Sequence, residues 1–395
     1  MQDLSAPLIP MNPLQSDEDA PLDALMAARV RASLSWGHLQ GRLAHVPLQV
    51  AHHFCCALTR LLLVEALGHS GFPGAEGWFT PWFCGLEPVP DTTVQATAPA
   101  SLVADTLLSE LSLCAWSPLA QAAAQIRAAA RFDRDDRSEP PEILPAFAVE
   151  QAARLAELLA RGNEDDWPLT PLDRLHGAAA DSPHFAPPER NRQLLALPSG
   201  PMVFEQTRPG MALWALDLVA GPLIARANPG ARPLPLPGTV RAEALRPELW
   251  PRERAILVAQ AAGQAAQRLC EQLDAAHARV QDMQQPLSGL RSTSRAPLLY
   301  RLLAGFGPLR PLQIEQALAV SKNGVRDLVA SLVHAGLAET SLHRHQTVVR
   351  ALPPRRAPTV PATEHEELPD SPYAEHDAAM ADLDRLLARS DASRP

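Results

Sequence analysis

The stretch Pro311-Leu-Gln-Ile-Glu-Gln-Ala-Leu-Ala-Val-Ser-Lys-Asn-Gly-Val-Arg-Asp-Leu-Val-Ala-Ser-Leu-Val-His-Ala-Gly-Leu-Ala-Glu339 decides the fold of the C-terminal part of this chain. Its apolar residues recur at helical spacing in two segments, which the tripeptide Ala319-Val320-Ser321 separates. Proline suits a first helical turn, where its missing N–H is no loss, and Gly336 suits the position after a helix end. The pattern therefore predicts a helix, a tight turn, a second helix and the start of a strand.

The flanking residues extend this unit on both sides. Leucines at helical spacing predict a first helix over residues 295–305, which the glycines and proline that follow should end. Residues 337–342 and 347–352 have the composition of two short strands that pair as a hairpin. The buried stripe of the third helix is predicted to consist of Val325, Leu328, Val329, Leu332 and Val333.

The third helix carries the strongest candidates for contacts with a ligand. Ser321 is well placed as its N-cap, and Lys322, the sole lysine of the chain, follows directly. Asn323 and Arg326 share the exposed face, and Asn can pair with adenine and Arg with guanine in a major groove. Alternatively, Ser321 and Lys322 hold a phosphate at the positive end of the helix. The hairpin tip would place Arg344 in a minor groove, and further phosphate contacts are expected from Arg295, Arg301 and Arg310.

Charge along the chain agrees with this interpretation. The chain carries a net charge of -9, yet residues 291–356 hold ten basic side chains against three acidic ones. Residues 357–395 hold nine acidic side chains and three arginines. A basic segment between acidic ones is typical of a surface that binds nucleic acid, although chance clustering in an arginine-rich chain is the alternative.

These residues resemble a known family. The segment from Ile314 to Glu339 is similar to the winged helix-turn-helix of MarR-type bacterial regulators, and the resemblance covers residues 295–352. It differs at Glu315, where a small residue is usual, and at Ala319, where glycine is usual. The whole layout also resembles rhizobial proteins with a long helical N-terminal domain and a C-terminal helix-turn-helix DNA-binding domain. The resemblance to MarR-type regulators implies that the helix that starts at Ser321 binds DNA.

The rest of the chain is predicted to be mainly α-helical. Helical spacing indicates helices over 22–46, 48–67, 101–114, 117–131, 146–161, 211–227 and 251–285. We therefore expect a multi-helix N-terminal domain, a C-terminal winged helix-turn-helix and disordered tails. The predicted segments are a disordered 1–21, a helical domain 22–165, a Pro/Gly-rich and partly irregular 166–250, a long helix 251–290, the winged unit 291–352, and a Pro-rich linker with an acidic tail 353–395.

Two segments are candidates for association. Within the long helix, Leu269, Leu273, Ala276, Val280 and Met283 follow a 4-3-4-3 spacing. This seam either packs on the chain's own domain or forms a homodimer through residues 254–284. In the acidic tail, residues 376–389 form a short amphipathic pattern that could dock on the protein itself or on a protein partner.

Signals for metal, cofactor or enzymatic chemistry are weak. The run His52-His53-Phe54-Cys55-Cys56 contains metal-ligand types, but no second pair has the spacing of a zinc site, so core packing is favoured. No phosphate-binding glycine loop, nucleophile elbow or HExxH motif occurs. Five cysteines without a secretory signal, and an apolar run that Arg60 and Glu65 interrupt, indicate a cytoplasmic protein that does not enter a membrane.

The leading hypothesis is a non-enzymatic, sequence-specific DNA-binding protein that regulates transcription, without cofactor or metal. Its partner would be double-stranded DNA. The alternative is a protein-interaction or plasmid- or chromosome-maintenance scaffold, in which the winged helix docks a protein instead.

Overall fold

The computed structural model describes residues 20–90, 96, 98–132, 144–160, 167–187, 192–197, 200–205, 211–289 and 294–354. Nearly all of the two predicted disordered tails, and the predicted tail helix 376–389, therefore lie outside the described residues. The chain divides into two compact units, Met1–Pro353 and Pro354–Pro395. Everything below concerns the first of them.

The protein is mainly helical, as the apolar spacing predicted. In the part of the chain that the structure describes, seven helices precede the first strand: α1 (Ala20–Ala44), α2 (Leu48–His69), α3 (Ala75–Phe83), α4 (Ala100–Ser112), α5 (Ser117–Ala129), α6 (Pro145–Leu159) and α7 (Thr170–Ala180). An antiparallel hairpin follows, β1 (Arg192–Leu197) and β2 (Gly200–Glu205), then α8 (Leu213–Ala227), a 3₁₀ turn (Ala242–Leu245) and α9 (Pro251–Gln284). The C-terminal elements are α10 (Ala296–Arg301), a π-helical turn (Leu302–Phe306), α11 (Pro311–Leu318), α12 (Lys322–His334), β3 (Ala338–His343) and β4 (Gln346–Ala351).

The long helix α9 is a core element of the monomer. It packs along α1, where Gly263 allows close approach: a Cβ there would lie 3.4 Å from the Cα of Ala32. Further along, Arg42 of α1 forms an ion pair with Asp274. The predicted seam faces α1 and α2, and all five of its residues are buried: Leu269, Leu273, Ala276, Val280 and Met283. The protein's own helices therefore cover these five residues, as the first of the two alternatives predicted, and a homodimer through residues 254–284 would have to use other faces of α9.

The segment 166–250 is more regular than predicted. In addition to the predicted helix near 211–227, it contains α7 and the β1–β2 hairpin. The backbone after α8 is held against that helix by the buried carboxyl group of Asp217, which accepts hydrogen bonds from the N–H groups of Gly238 and Val240, both at 2.8 Å. At Gly221 a Cβ would lie only 1.7 Å from the carbonyl oxygen of Leu234, so only glycine permits this approach. At Gly221, therefore, glycine permits a close packing contact and does not indicate an irregular loop.

We call the described residues 20–289 the body and residues 294–352 the C-terminal unit. The C-terminal unit consists of α10 with the π-helical turn that continues it, then α11 and α12, and finally the antiparallel β3–β4 hairpin. Residues 294–352 pack on the body through α11, which contacts α5, and through the π-helical turn, which contacts α2. Both parts therefore lie within the compact unit Met1–Pro353. The prediction treated residues 291–352 as a separate module, whereas the structure joins them to the helices of the body.

One described helix is long and apolar enough to cross a membrane. This helix is α2, and 67% of its most apolar window is buried inside the protein. Because a mostly buried core helix satisfies the same test, the finding is weak evidence for a membrane span.

Candidate nucleic-acid interface

The N-terminus of α12 is capped as the sequence predicted. Ser321 has an extended backbone, and its hydroxyl accepts a hydrogen bond from the N–H of Gly324 at 3.2 Å. The cap leaves other first-turn N–H groups pointing outward, where the helix dipole favours a negative charge. This helix end can therefore accept an oxyanion such as a phosphate group.

Three predicted contact residues lie together on the exposed face of α12. Lys322, Asn323 and Arg326 are all exposed. Among the residues that the structure describes, Lys322 and Arg326 have no ion-pair partner, whereas Arg29, Arg127 and Arg268 each pair with a carboxylate. The opposite face packs on α10 and α11 through Val325 and Leu332, which are buried. Val333, predicted for the buried stripe, is instead 44% exposed.

The turn between α11 and α12 requires a left-handed backbone at Ala319, the position where the similar regulators usually have glycine. Ala319 adopts the left-handed conformation with φ 48° and ψ 52°. Glycine reaches this conformation without penalty, whereas a Cβ makes it unfavourable by about 1–2 kcal/mol. The turn nevertheless keeps this geometry, because the N–H of Val320 bonds to the carbonyl of Glu315 and the apolar faces of both helices remain packed.

The hairpin tip carries a second candidate contact. Arg344 and His345 have φ values of 46° and 64°, so a two-residue turn of the type usually filled by Asn-Gly is here made of two basic or titratable residues. Glu87 of the body lies against this tip: its Oε1 is 3.2 Å from Nη2 of Arg344 and 3.0 Å from Nε2 of His343. The tip of the hairpin is thus tethered to the body by an exposed ion pair.

The three arginines predicted to bind phosphate are used internally. Arg295 is exposed, but its Nη1 donates to the carbonyls of Leu318 and Ala319 and so caps the end of α11. Arg310 donates from Nη1 to the carbonyl of Cys84 at 3.1 Å. Arg301 is 8% exposed and donates to Oε1 of Gln125 at 3.2 Å, so it does not lie on the outer surface where DNA would bind.

The run from His52 to Cys56 lies on α2 in the hydrophobic core. Cys55 and Cys56 are fully buried, and burial raises the pKa of Cys56 to about 12 and that of Cys55 well above its usual value. Burial, followed by the charge of Arg301, lowers the pKa of His53 to about 3. No group of three or more His, Cys, Asp or Glu side chains among the described residues is arranged to hold a metal ion. These cysteines are inert thiols at neutral pH.

Sequence reasoning missed the residues that join the C-terminal unit to the body. Gln313 is fully buried, and its Nε2 donates to the carbonyls of Phe83 at 3.0 Å and Ala129 at 2.9 Å. Its Oε1 accepts from the N–H of Arg310 at 3.0 Å. A glutamine at the third position of a helix is a known capping signal, and that half of its role was readable from the sequence. Its partners in α3 and α5 were not readable, because they are far away along the chain.

No protein-family model matches this chain, and no curated protein matches it in a sequence search. Its function is therefore inferred from its own residues.

Proposed function

We propose that the C-terminal unit is a winged helix-turn-helix that binds double-stranded DNA, with α12 in the major groove, and that the protein regulates transcription. The observation that carries this proposal is the exposed face of α12, where Lys322, Asn323 and Arg326 stand free of ion pairs with described residues. Unpaired cations on an exposed helix face are available to phosphates and base edges without first breaking an internal contact.

The roles of these residues follow from their position on the helix. Lys322 lies in the first turn of α12, beside the capped N-terminus, and is placed to bind a backbone phosphate. Asn323 and Arg326 lie three residues apart and therefore project from neighbouring positions on one face. An Arg bidentate to guanine or an Asn bidentate to adenine contributes about 1–3 kcal/mol of discrimination between bases.

The hairpin would act as the wing. Arg344 at its tip is paired with Glu87, but an exposed ion pair of this kind contributes only about 0–1 kcal/mol. A phosphate group, which brings more negative charge and more acceptor oxygens, can therefore take Arg344 from Glu87. Arg295, Arg301 and Arg310 are not part of the proposed interface, because each already donates hydrogen bonds inside the protein.

The test is selection of bound fragments from the genomic DNA of the protein's own source, followed by affinity measurements over a salt series. We expect enrichment of a small set of related sequences. The Lys322→Ala/Arg326→Ala double variant should lose this enrichment, and its affinity should depend less on salt, by about 0.9 in the log–log slope for each phosphate contact removed.

A matched control separates the interface from general charge. The Arg226→Ala/Arg252→Ala double variant removes the same charge from exposed positions on α8 and α9, and should bind like the unmodified protein. If both double variants weaken binding equally, or if no sequence is enriched, α12 does not read DNA.

A second candidate function is docking of a protein partner through the same unit. The observation that favours it is the exposure of three large apolar residues there: Leu312 at 48%, Val333 at 44% and Leu342 at 77%. An apolar docking contact should keep its affinity as salt rises, whereas DNA binding should weaken steeply.

A further inference from the structure

Arg301 is the one lysine or arginine among the described residues that is buried in the protein. It is the last residue of α10, at the junction where the C-terminal unit meets the body. No carboxylate of a described residue lies within 4.0 Å of it, and no described residue accepts a hydrogen bond from its Nε atom. Its single hydrogen bond to a described side chain, from Nη2 to Gln125, has a neutral acceptor. A buried cation without a counter-charge is unfavourable, so such groups are normally paired.

The groups around Arg301 do not supply the missing negative charge. The charge of Arg301 acts on His52 and His53 of α2, and Arg279 of α9 also acts on His53. Cys55 and Cys56 are close as well, but burial keeps both thiols protonated. Burial lowers the pKa of Arg301, although arginine remains charged at neutral pH. Local positive potential at this junction is therefore not offset by the side chains that face it.

A polar rim connects Arg301 with the surface. Gln121 and Gln125 lie one turn apart on α5, Gln121 is exposed, and Gln125 is half-buried. His52 is also half-buried, and its Nε2 lies 3.2 Å from Oε1 of Gln121. After a rotation of these side chains, their amide and imidazole N–H groups can donate to an oxyanion. The oxyanion would then replace Oε1 of Gln125 as the acceptor for the N–H groups of Arg301.

A tight backbone contact fixes this junction. A Cβ at Gly305 would lie 2.7 Å from the Cβ of Cys56 and 2.8 Å from the carbonyl oxygen of His53. Gly305 belongs to the π-helical turn that directly follows Arg301, and such turns are frequent at functional sites. This contact fixes the turn that follows Arg301 against α2, and the hydrogen bond to Gln125 holds the guanidinium beside α5.

We propose that Arg301, with Gln121, Gln125 and His52 at its rim, binds the oxyanion group of a small molecule, a carboxylate or a phosphate. The site is separate from the DNA-contacting face of α12 and does not depend on that function. The guanidinium supplies two parallel N–H donors, which match either oxyanion, and the neutral amides complete the hydrogen bonds without adding charge.

The experiment measures thermal unfolding of the full chain at constant ionic strength, while sodium phosphate or sodium acetate replaces sodium chloride. We expect one of the two anions to raise the Tm of the unmodified protein by a few degrees and to saturate, and the effective anion identifies the group. The Arg127→Gln variant serves as control, because Arg127 is an arginine of α5 that already pairs with Asp105, and it should respond in the same way.

Two variants of the site itself should each remove the response to added anion. Gln125→Glu places a carboxylate beside Arg301 and should raise the Tm without added anion while it abolishes the response to phosphate and acetate. Arg301→Met should abolish the response as well, because the donor is gone. If Arg301→Met does not fold, Gln125→Glu alone decides the outcome.

Two results would overturn the proposal. Equal Tm increments in the unmodified protein and in Gln125→Glu would mean an adventitious ion only. A Tm of the unmodified protein that responds to neither anion would mean that the buried guanidinium is tolerated without an oxyanion.

Discussion

Replacing Gln313 by Met tests how firmly the C-terminal unit is joined to the body. Met has nearly the same length and shape, but it can neither donate nor accept the three hydrogen bonds that Gln313 makes. The carbonyls of Phe83 and Ala129, which end α3 and α5, would lose their partner in a place that water does not reach. The N–H of Arg310 would lose its partner as well.

The expected loss can be worked from these contacts. A hydrogen bond contributes about 0.5–1.5 kcal/mol net, and a buried group left unpaired costs about 1–3 kcal/mol. The three groups together therefore predict a decrease of about 3–5 kcal/mol in the free energy of unfolding. The two carbonyls can relax somewhat, which keeps the estimate below the sum of the largest values.

The measurement is urea unfolding followed by far-UV circular dichroism. Gln316→Met is the matched control: it makes the same substitution one turn along α11, where no described residue donates to the buried Oε1. We expect the control to change stability by less than about 1 kcal/mol. A loss below about 1 kcal/mol for Gln313→Met, or equal losses for both variants, would refute the view that Gln313 joins α11 to α3 and α5.

Two further predictions concern backbone strain and a buried carboxyl group. Ala319→Gly should raise the free energy of unfolding by about 0.5–1 kcal/mol in urea titrations, because glycine adopts φ 48° without strain; an unchanged or lower value would contradict the strain. Burial raises the pKa of Asp217 to about 8, against the opposing effect of the N–H groups of Val240 and Gly238, so the folded protein holds a proton that the unfolded chain releases near pH 4. Its contribution to stability is therefore greatest at acid pH and declines as pH rises toward about 8. Urea unfolding should show that the free energy of unfolding of the unmodified protein falls between pH 5 and pH 8 relative to that of Asp217→Asn. If the difference between the two proteins is the same at both pH values, Asp217 does not titrate in this range.

The long helices were predictable because their apolar spacing repeats over many residues. The predicted 22–46, 117–131 and 251–285 differ from α1, α5 and α9 by two residues or fewer at either end. By contrast, α3 has nine residues and includes Pro81, so it is too short to show a period and carries a residue typical of loops. Prolines and glycines likewise concealed α7 and the β1–β2 hairpin.

The candidate interface was predictable to the extent that it depends on local structure. Ser321 caps α12, and Lys322, Asn323 and Arg326 are exposed, because cap chemistry and helical periodicity are properties of neighbouring residues. The arginines were assigned by charge alone, and charge does not reveal a tertiary partner. Arg310 contacts the carbonyl of Cys84, 226 residues earlier in the chain. Only the packing of the body against the C-terminal unit determines which arginines remain available.

The junction formed by Gln313, Arg310 and Gly305 also sets how α12 moves. When a flexible linker joins a DNA-binding domain to the rest of a protein, that domain reorients independently and can approach DNA at many angles. Here α11 is hydrogen-bonded to α3 and α5, so α12 must rotate with the body as one particle. In the proposed complex with DNA, α12 would therefore approach the duplex at one angle set by the body, and the volume of α1 to α9 would limit which other proteins can bind beside it.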